Sequence, residues 1–187
     1  MHDLFYREDV FQDYDHGDKR RRGVDFTIDY QGRWYFHGVQ SPGPIKRKAL
    51  AGLFGGAGDG FMAGKGLFRD EAGAYWLKSP DGRYRVEVED VPFIITHYDI
   101  HNPGPGQAII LQTQFDETVR LDSLSCVELR PEPRHNIPVL YVEVRGGLWA
   151  RFSTQIQQSF ARDVLKDDGE CYRFTSAGHE FTLRAPS

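Results

Sequence analysis

A period of two in the apolar residues sets the limits on this fold. Val24, Phe26 and Ile28 alternate with Asp25, Thr27 and Asp29; Tyr30 to Arg33 reads as a turn, and Trp34, Tyr35 and Phe36 form an aromatic return strand. Side chains two apart share one face of a strand, so each such run buries one face and wets the other. Further strands are expected at Tyr75 to Lys78, Arg83 to Glu89, Phe93 to Ile100, Gln107 to Gln114, Cys126 to Arg130 and Val139 to Val144. A closing hairpin joins Cys171 to Thr175 with Glu180 to Leu183. The 20 Gly and 10 Pro among 187 residues supply the turns that so many strands require.

Two stretches depart from this period. Ile45, Ala49, Leu50, Leu53 and Phe54 fall on one face at helical spacing, with Pro44 suited to the first helical position. Residues Gly55 to Gly66 then form a glycine-rich loop. Farther on, Leu148 or Trp149, Phe152, Ile156, Phe160 and Val164 recur at steps of three and four, which predicts a helix over 148–165. The segment His101 to Gly106, rich in Pro and Gly, is the best boundary. The expected organisation is a polar lead-in over 1–22, an N-terminal α+β half over 23–100 and a β-rich half over 107–187. Each half carries mostly antiparallel strands and one amphipathic helix. Arg85 to Asp90 and Tyr141 to Gly146 resemble each other, so the α+β fold reads as two small duplicated halves.

The charge balance narrows the function classes. A net charge of −4 argues against a dedicated nucleic-acid-binding domain, which is normally basic. The run Lys19 to Arg22 follows six acidic residues between Asp3 and Asp18 and reads as part of a solvated arm. That acidic lead-in has no apolar run and no signal-peptide character. The weakly charged stretch Ala49 to Gly58 is too short to span a membrane, so no membrane partner is expected. Two cysteines, Cys126 and Cys171, make neither a disulfide framework nor a cysteine zinc site; they fit a reducing, cytoplasmic compartment.

Familiar catalytic signatures are missing. Gly64-Lys65 is followed by Gly66 rather than Ser or Thr, and Asp59 stands where a phosphate-binding loop needs glycine. Gly58 to Ala63 meets a loose dinucleotide pattern without the strand-to-helix context that gives it meaning. His97, Asp99 and His101 alternate along one strand, as metal ligands or as its solvent face; the solvent face is the simpler reading. The carboxylates Glu87, Glu89 and Asp90, and Asp116 with Glu117, read as solvated faces or ion-pair partners. No catalytic residue, metal ligand or cofactor is assigned.

Lys46, Arg47 and Lys48 are the most informative residues. They sit in the first turn of the expected helix, where free backbone N–H groups already carry positive charge. A helix selected for stability alone would carry acids there; cations beside free N–H groups are what an anion requires. The alternative is that they splay into water or pair with Glu87 or Glu89. Arg145, just before Gly146-Gly147, and Arg151 repeat the arrangement at the second expected helix. Arg145 should lie at a strand end, with Gly146-Gly147 bending the chain into that helix and Glu89 or Asp90 as its acidic partner.

The blocks Gly43 to Leu50 with Leu53-Phe54, Gly73 to Leu77, Val86 to Phe93, and Tyr141 to Leu148 with Ala150-Arg151 resemble those of a bacterial family, domain of unknown function family 1285. The resemblance runs from about Asp25 to Leu183. It implies a two-part α+β fold with internal duplication, whose C-terminal half looks like a pleckstrin-homology barrel. It also implies a site between the halves for a nucleotide-like ligand in signalling. The resulting expectation is a cytoplasmic module binding an anionic small molecule through Lys46, Arg47, Lys48, Arg145 and Arg151, with Glu89 and Asp90 at the interface and a regulatory role. The alternatives are a scaffold that engages a protein partner and a hydrolytic enzyme using interface carboxylates.

Overall fold

The computed structural model describes residues 23–37, 45, 66–79, 82–104 and 106–184. The chain divides between Glu89 and Asp90 into two compact units.

In the first unit, β1 (Phe26–Ile28), β2 (Trp34–Phe36), β3 (Gly66–Arg69), β4 (Tyr75–Ser79) and β5 (Gly82–Val88) form one sheet in the order β2-β1-β5-β4-β3. Phe26 lies opposite Phe36 across the expected hairpin and opposite Val86 in a parallel pairing with β5. Its ring packs edge-on against Trp34 and Tyr84. The turn between β1 and β2 is organised by Asp29, whose carboxylate accepts from the Gln31 and Arg33 N–H groups and from Arg33 Nε at 2.7 Å.

The second unit holds β6 (Phe93–His101), β7 (Ala108–Thr113), β8 (Thr118–Arg120), β9 (Val127–Pro131), β10 (Pro138–Arg145) and β11 (Leu148–Phe152) in the order β8-β7-β6-β11-β10-β9. A helix, α1 (Thr154–Asp163), follows, and then β12 (Lys166–Asp167), β13 (Tyr172–Ser176) and β14 (His179–Leu183) make a three-stranded sheet. Phe160 of α1 gathers the core, its ring meeting Tyr98, Phe152 and Phe174 at centroid separations of 5.2–5.5 Å. The buried Ser176 hydroxyl accepts from Ile109 N–H at 2.8 Å and donates to the Leu121 carbonyl, fastening β13 to β7.

Mostly β structure with one helix among the described residues is therefore the architecture. Both large sheets are wired alike. Strands lead outward from the first one, a second meander leads back inward, and its last strand lies parallel to the first: β5 beside β1, β11 beside β6. The similar segments Arg85 to Asp90 and Tyr141 to Gly146 do not occupy equivalent places, because β5 is the parallel partner in its sheet while β10 lies one strand away from its own.

Two expectations need correction. The helix over 148–165 is a strand and a shorter helix. Leu148, Ala150 and Phe152 are buried in alternation along β11, which pairs with β10 and β6. Gly146 and Gly147, at φ +51° and +77°, close a two-residue hairpin between Arg145 and Leu148 rather than an entry into a helix. The helix begins only after Ser153, whose hydroxyl caps the Ile156 N–H. The second correction concerns His101 to Gly106. This segment joins β6 to β7, neighbours in one sheet, so β6 belongs to the second unit and not to the N-terminal half. Of the helix expected from Ile45 to Phe54, all but Ile45 lies outside the described residues.

Candidate functional site

Residues Val139 to Val142 are apolar without alternation because both faces of β10 are covered. Leu140 and Val142 enter the main core. Tyr141 and Val139 point to the other face, where they pack with Val91 and Trp149. Across this face Tyr141 is registered between Glu128 of β9 and Arg151 of β11.

A polar group is set into this small apolar cluster. The Tyr141 hydroxyl donates to Asp90 Oδ2 at 3.0 Å, and Arg151 Nε stands 3.9 Å from the same oxygen. The Arg151 and Asp90 side chains are only 15% and 8% exposed. Burial raises the Asp90 carboxyl above the usual carboxylate range, against the Tyr141 hydrogen bond and the Arg151 charge. Burial, then the Asp90 charge and hydrogen bond, push the Tyr141 hydroxyl well up, so it remains a neutral donor. On the other side of Tyr141, Arg130 lies 3.9 Å over the Trp149 ring and 5.2 Å over the Tyr141 ring, with its Nε 2.6 Å from Glu128. Two guanidiniums thus bracket one buried tyrosine.

The remaining expected site residues fall elsewhere. Arg145 does lie at the end of β10, partly buried, and its Nε stands 2.6 Å from Glu117, between β7 and β8. The Gly146-Gly147 hairpin keeps Arg145 on the sheet, within reach of Glu117, instead of sending the chain into a helix. Asp90 pairs with Tyr141 and Arg151; Glu89 belongs to the first unit, where it accepts from the Tyr30 N–H at 3.1 Å. Arg151 is a strand residue beside a carboxylate, not a cation at a helix start. Lys46, Arg47 and Lys48 lie outside the described residues. His97, Asp99 and His101 are exposed along β6, and among the described residues no three acidic, His or Cys side chains gather as a metal site.

Tyr141, Trp149 and Arg130 escape sequence reading. Their signal is the cross-strand register, which becomes legible only once Leu148 to Phe152 is known to be a strand. A concavity of about 660 Å³ lies where α1 ends, lined by Asp163, Lys166, Asp168, Arg173, Phe174 and Glu180. Arg173 is already engaged there by Asp168 at 3.0 Å and Glu180 at 3.6 Å. The scaffold alternative requires an apolar patch; among the described residues the exposed large apolar side chains are Leu124 and Ile137, in the connections on either side of β9.

Comparison with known proteins places this architecture. The family model described as "Protein of unknown function (DUF1285), C-terminal domain" matches residues 92–183, which run from β6 to β14 and contain Tyr141 and Arg151. This part of the chain is the C-terminal domain of the DUF1285 family. A DUF1285 family protein from Silicibacter pomeroyi DSS-3 shares its fold with a TM-score of 0.66 at 21% identity, over 87% of this chain and 80% of that one. A DUF1285 family protein from Shewanella baltica OS155 aligns with a TM-score of 0.48 at 20% identity, over 74% of this chain and 91% of that one. No curated protein matches the chain.

Proposed function

We propose that this chain is a ligand-binding module that takes an anionic, nucleotide-like small molecule and serves a regulatory or signalling role. The observation that supports this best is the pair of guanidiniums, Arg130 and Arg151, bracketing Tyr141 on one face of the second unit. Guanidinium forks match carboxylate and phosphate oxygens, and the low exposure of Arg151 strengthens its contacts. Trp149 and Tyr141 add aromatic surface of the kind on which planar rings stack. Asp90 and Glu128 balance the two charges. The cations Lys46, Arg47 and Lys48 belong to the same proposal as a second anion-binding element. So do the internal duplication, supported by the shared wiring of the two large sheets, and the likeness of the C-terminal half to a pleckstrin-homology barrel. A cytoplasmic setting is part of the reading too, supported by the two free cysteines.

A thermal-shift screen of the full chain against nucleoside mono-, di- and triphosphates tests the proposal. A true ligand at a hundredfold its Kd adds about 2.7 kcal/mol of stability. Replacing Arg151 with Gln should remove most of that shift, and replacing Lys46 and Arg47 with Glu should weaken it. The proposal fails if no phosphorylated compound moves the melting curve, or if these variants respond like wild type.

A further inference from the structure

Glu132 follows β9 in the turn that leads to β10, and its side chain is only 2% exposed. Oε2 is used twice: it accepts from the His135 N–H at 2.8 Å and lies 2.9 Å from His135 Nδ1. Oε1 is buried and has no hydrogen-bond partner. Buried carboxylate oxygens in folded proteins nearly always have a donor, so an orphan of this kind calls for an explanation. Protonation does not supply one. Although burial acts to raise the carboxyl, the His135 N–H and ring, with the Arg134 N–H, hold it below the usual range. Glu132 lies two residues past Arg130, where its N–H to the Ile137 carbonyl at 2.8 Å continues the β9–β10 pairing, so it falls on the face that carries Arg130 and Tyr141.

We infer that Glu132 Oε1 receives an N–H donor of the bound ligand, so that the ligand is an anion that also carries such a donor. The inference rests on the ligand-binding reading above and sharpens it. An anion held by Arg130 and Arg151 alone would bring like charge towards Glu132. A donor group on the same molecule converts that repulsion into a charge-assisted hydrogen bond. A site built around a buried acceptor also discriminates strongly, because an analogue lacking the donor leaves the acceptor unpaired.

Purine riboside 5′-monophosphate has no N–H on its base, whereas the adenosine, inosine and guanosine monophosphates each have at least one. Calorimetric titration of the full chain with these four compounds is the test. The best of the three donor-bearing compounds should bind about ten-fold or more tightly than purine riboside monophosphate. In Glu132→Gln the amide oxygen can still accept from His135, which leaves the amide N–H₂ in the position of Oε1. That variant should lose the preference while still unfolding in one cooperative thermal transition. Equal binding of all four compounds by wild type overturns the inference and leaves the broader reading standing. A Glu132→Gln protein that keeps the preference also overturns it, and makes Glu132 a brace for the turn. Should that variant fail to fold, the wild-type comparison decides alone. If none of the four binds, both readings fall.

Discussion

Asp29 and Asp90 are both buried carboxylates, and they respond to acid in opposite senses. Burial acts to raise both. At Asp29 the Arg33 side chain and the Arg33 and Gln31 N–H groups outweigh it, and the carboxyl sits below its ordinary value. At Asp90 the single Tyr141 hydrogen bond and a guanidinium 3.9 Å away do not, and the carboxyl sits above. The stability Asp29 contributes is therefore present above the unfolded carboxylate pKa of about 3.9, and is lost as pH falls through the lower folded value. Asp90 does the reverse: its contribution is complete below about 3.9 and is lost as pH rises through the raised folded value. Replacing Asp29 with Asn should flatten the acid limb of the stability curve, measured by urea unfolding between about pH 2.5 and 6. An unchanged limb would show that the Asp29 network does not organise the first hairpin.

At the scale of elements, the hairpin turns offer the sharpest test. Gly147 and Ala177 both adopt positive φ, +77° and +51°. A Cβ on Gly147 would meet nothing within 4 Å, so any penalty there comes from the backbone alone. Gly147→Val should cost about 1–2 kcal/mol, and Ala177→Gly should gain about 0.5–1 kcal/mol after the entropy glycine adds to the unfolded chain. Chemical denaturation of both variants checks the pair, and a stabilised Gly147→Val would contradict the hairpin. The same turn explains where sequence reading stops. The hairpin from Phe26 to Phe36 and the one from Tyr172 to Leu183 are legible, since their alternation is clean and their turns are rich in turn formers. Leu148 to Phe152 is not. Phe152 of the strand and Phe160 of the helix bury against each other, so strand and helix together imitate one helical stripe. Asp90 and Arg151 stand out in sequence as charged residues in distinctive blocks. Tyr141 does not, because it looks like one more apolar residue in a doubly buried strand.

For the molecule as a whole, the pairing pattern sets what can stand alone. The five-stranded sheet closes before Glu89, and the six- and three-stranded sheets lie entirely after it. The fragment Asp90–Ser187 keeps the Phe160 cluster, the Ser176 bridge and the Asp90–Tyr141 contact. It should unfold in a single cooperative thermal transition, followed by circular dichroism. A fragment without a transition would show that its core depends on residues before Asp90.

The parallel seam between β6 and β11 also governs when this unit can fold. Phe93 must wait for Ala150 to leave the ribosome before the centre of the sheet can close. At a synthesis rate of about 5–20 residues per second, β6 spends seconds bordered by β7 and by nothing on its other edge. That edge carries Phe93 and Ile95, so the nascent chain presents an adhesive strand for the whole interval. Long-range closure of this kind is slow, because loop entropy is spent before the contact repays it. The exposure of β6 to aggregation and to chaperones therefore lasts until residue 150 has left the ribosome, and it ends with the strand that carries Arg151.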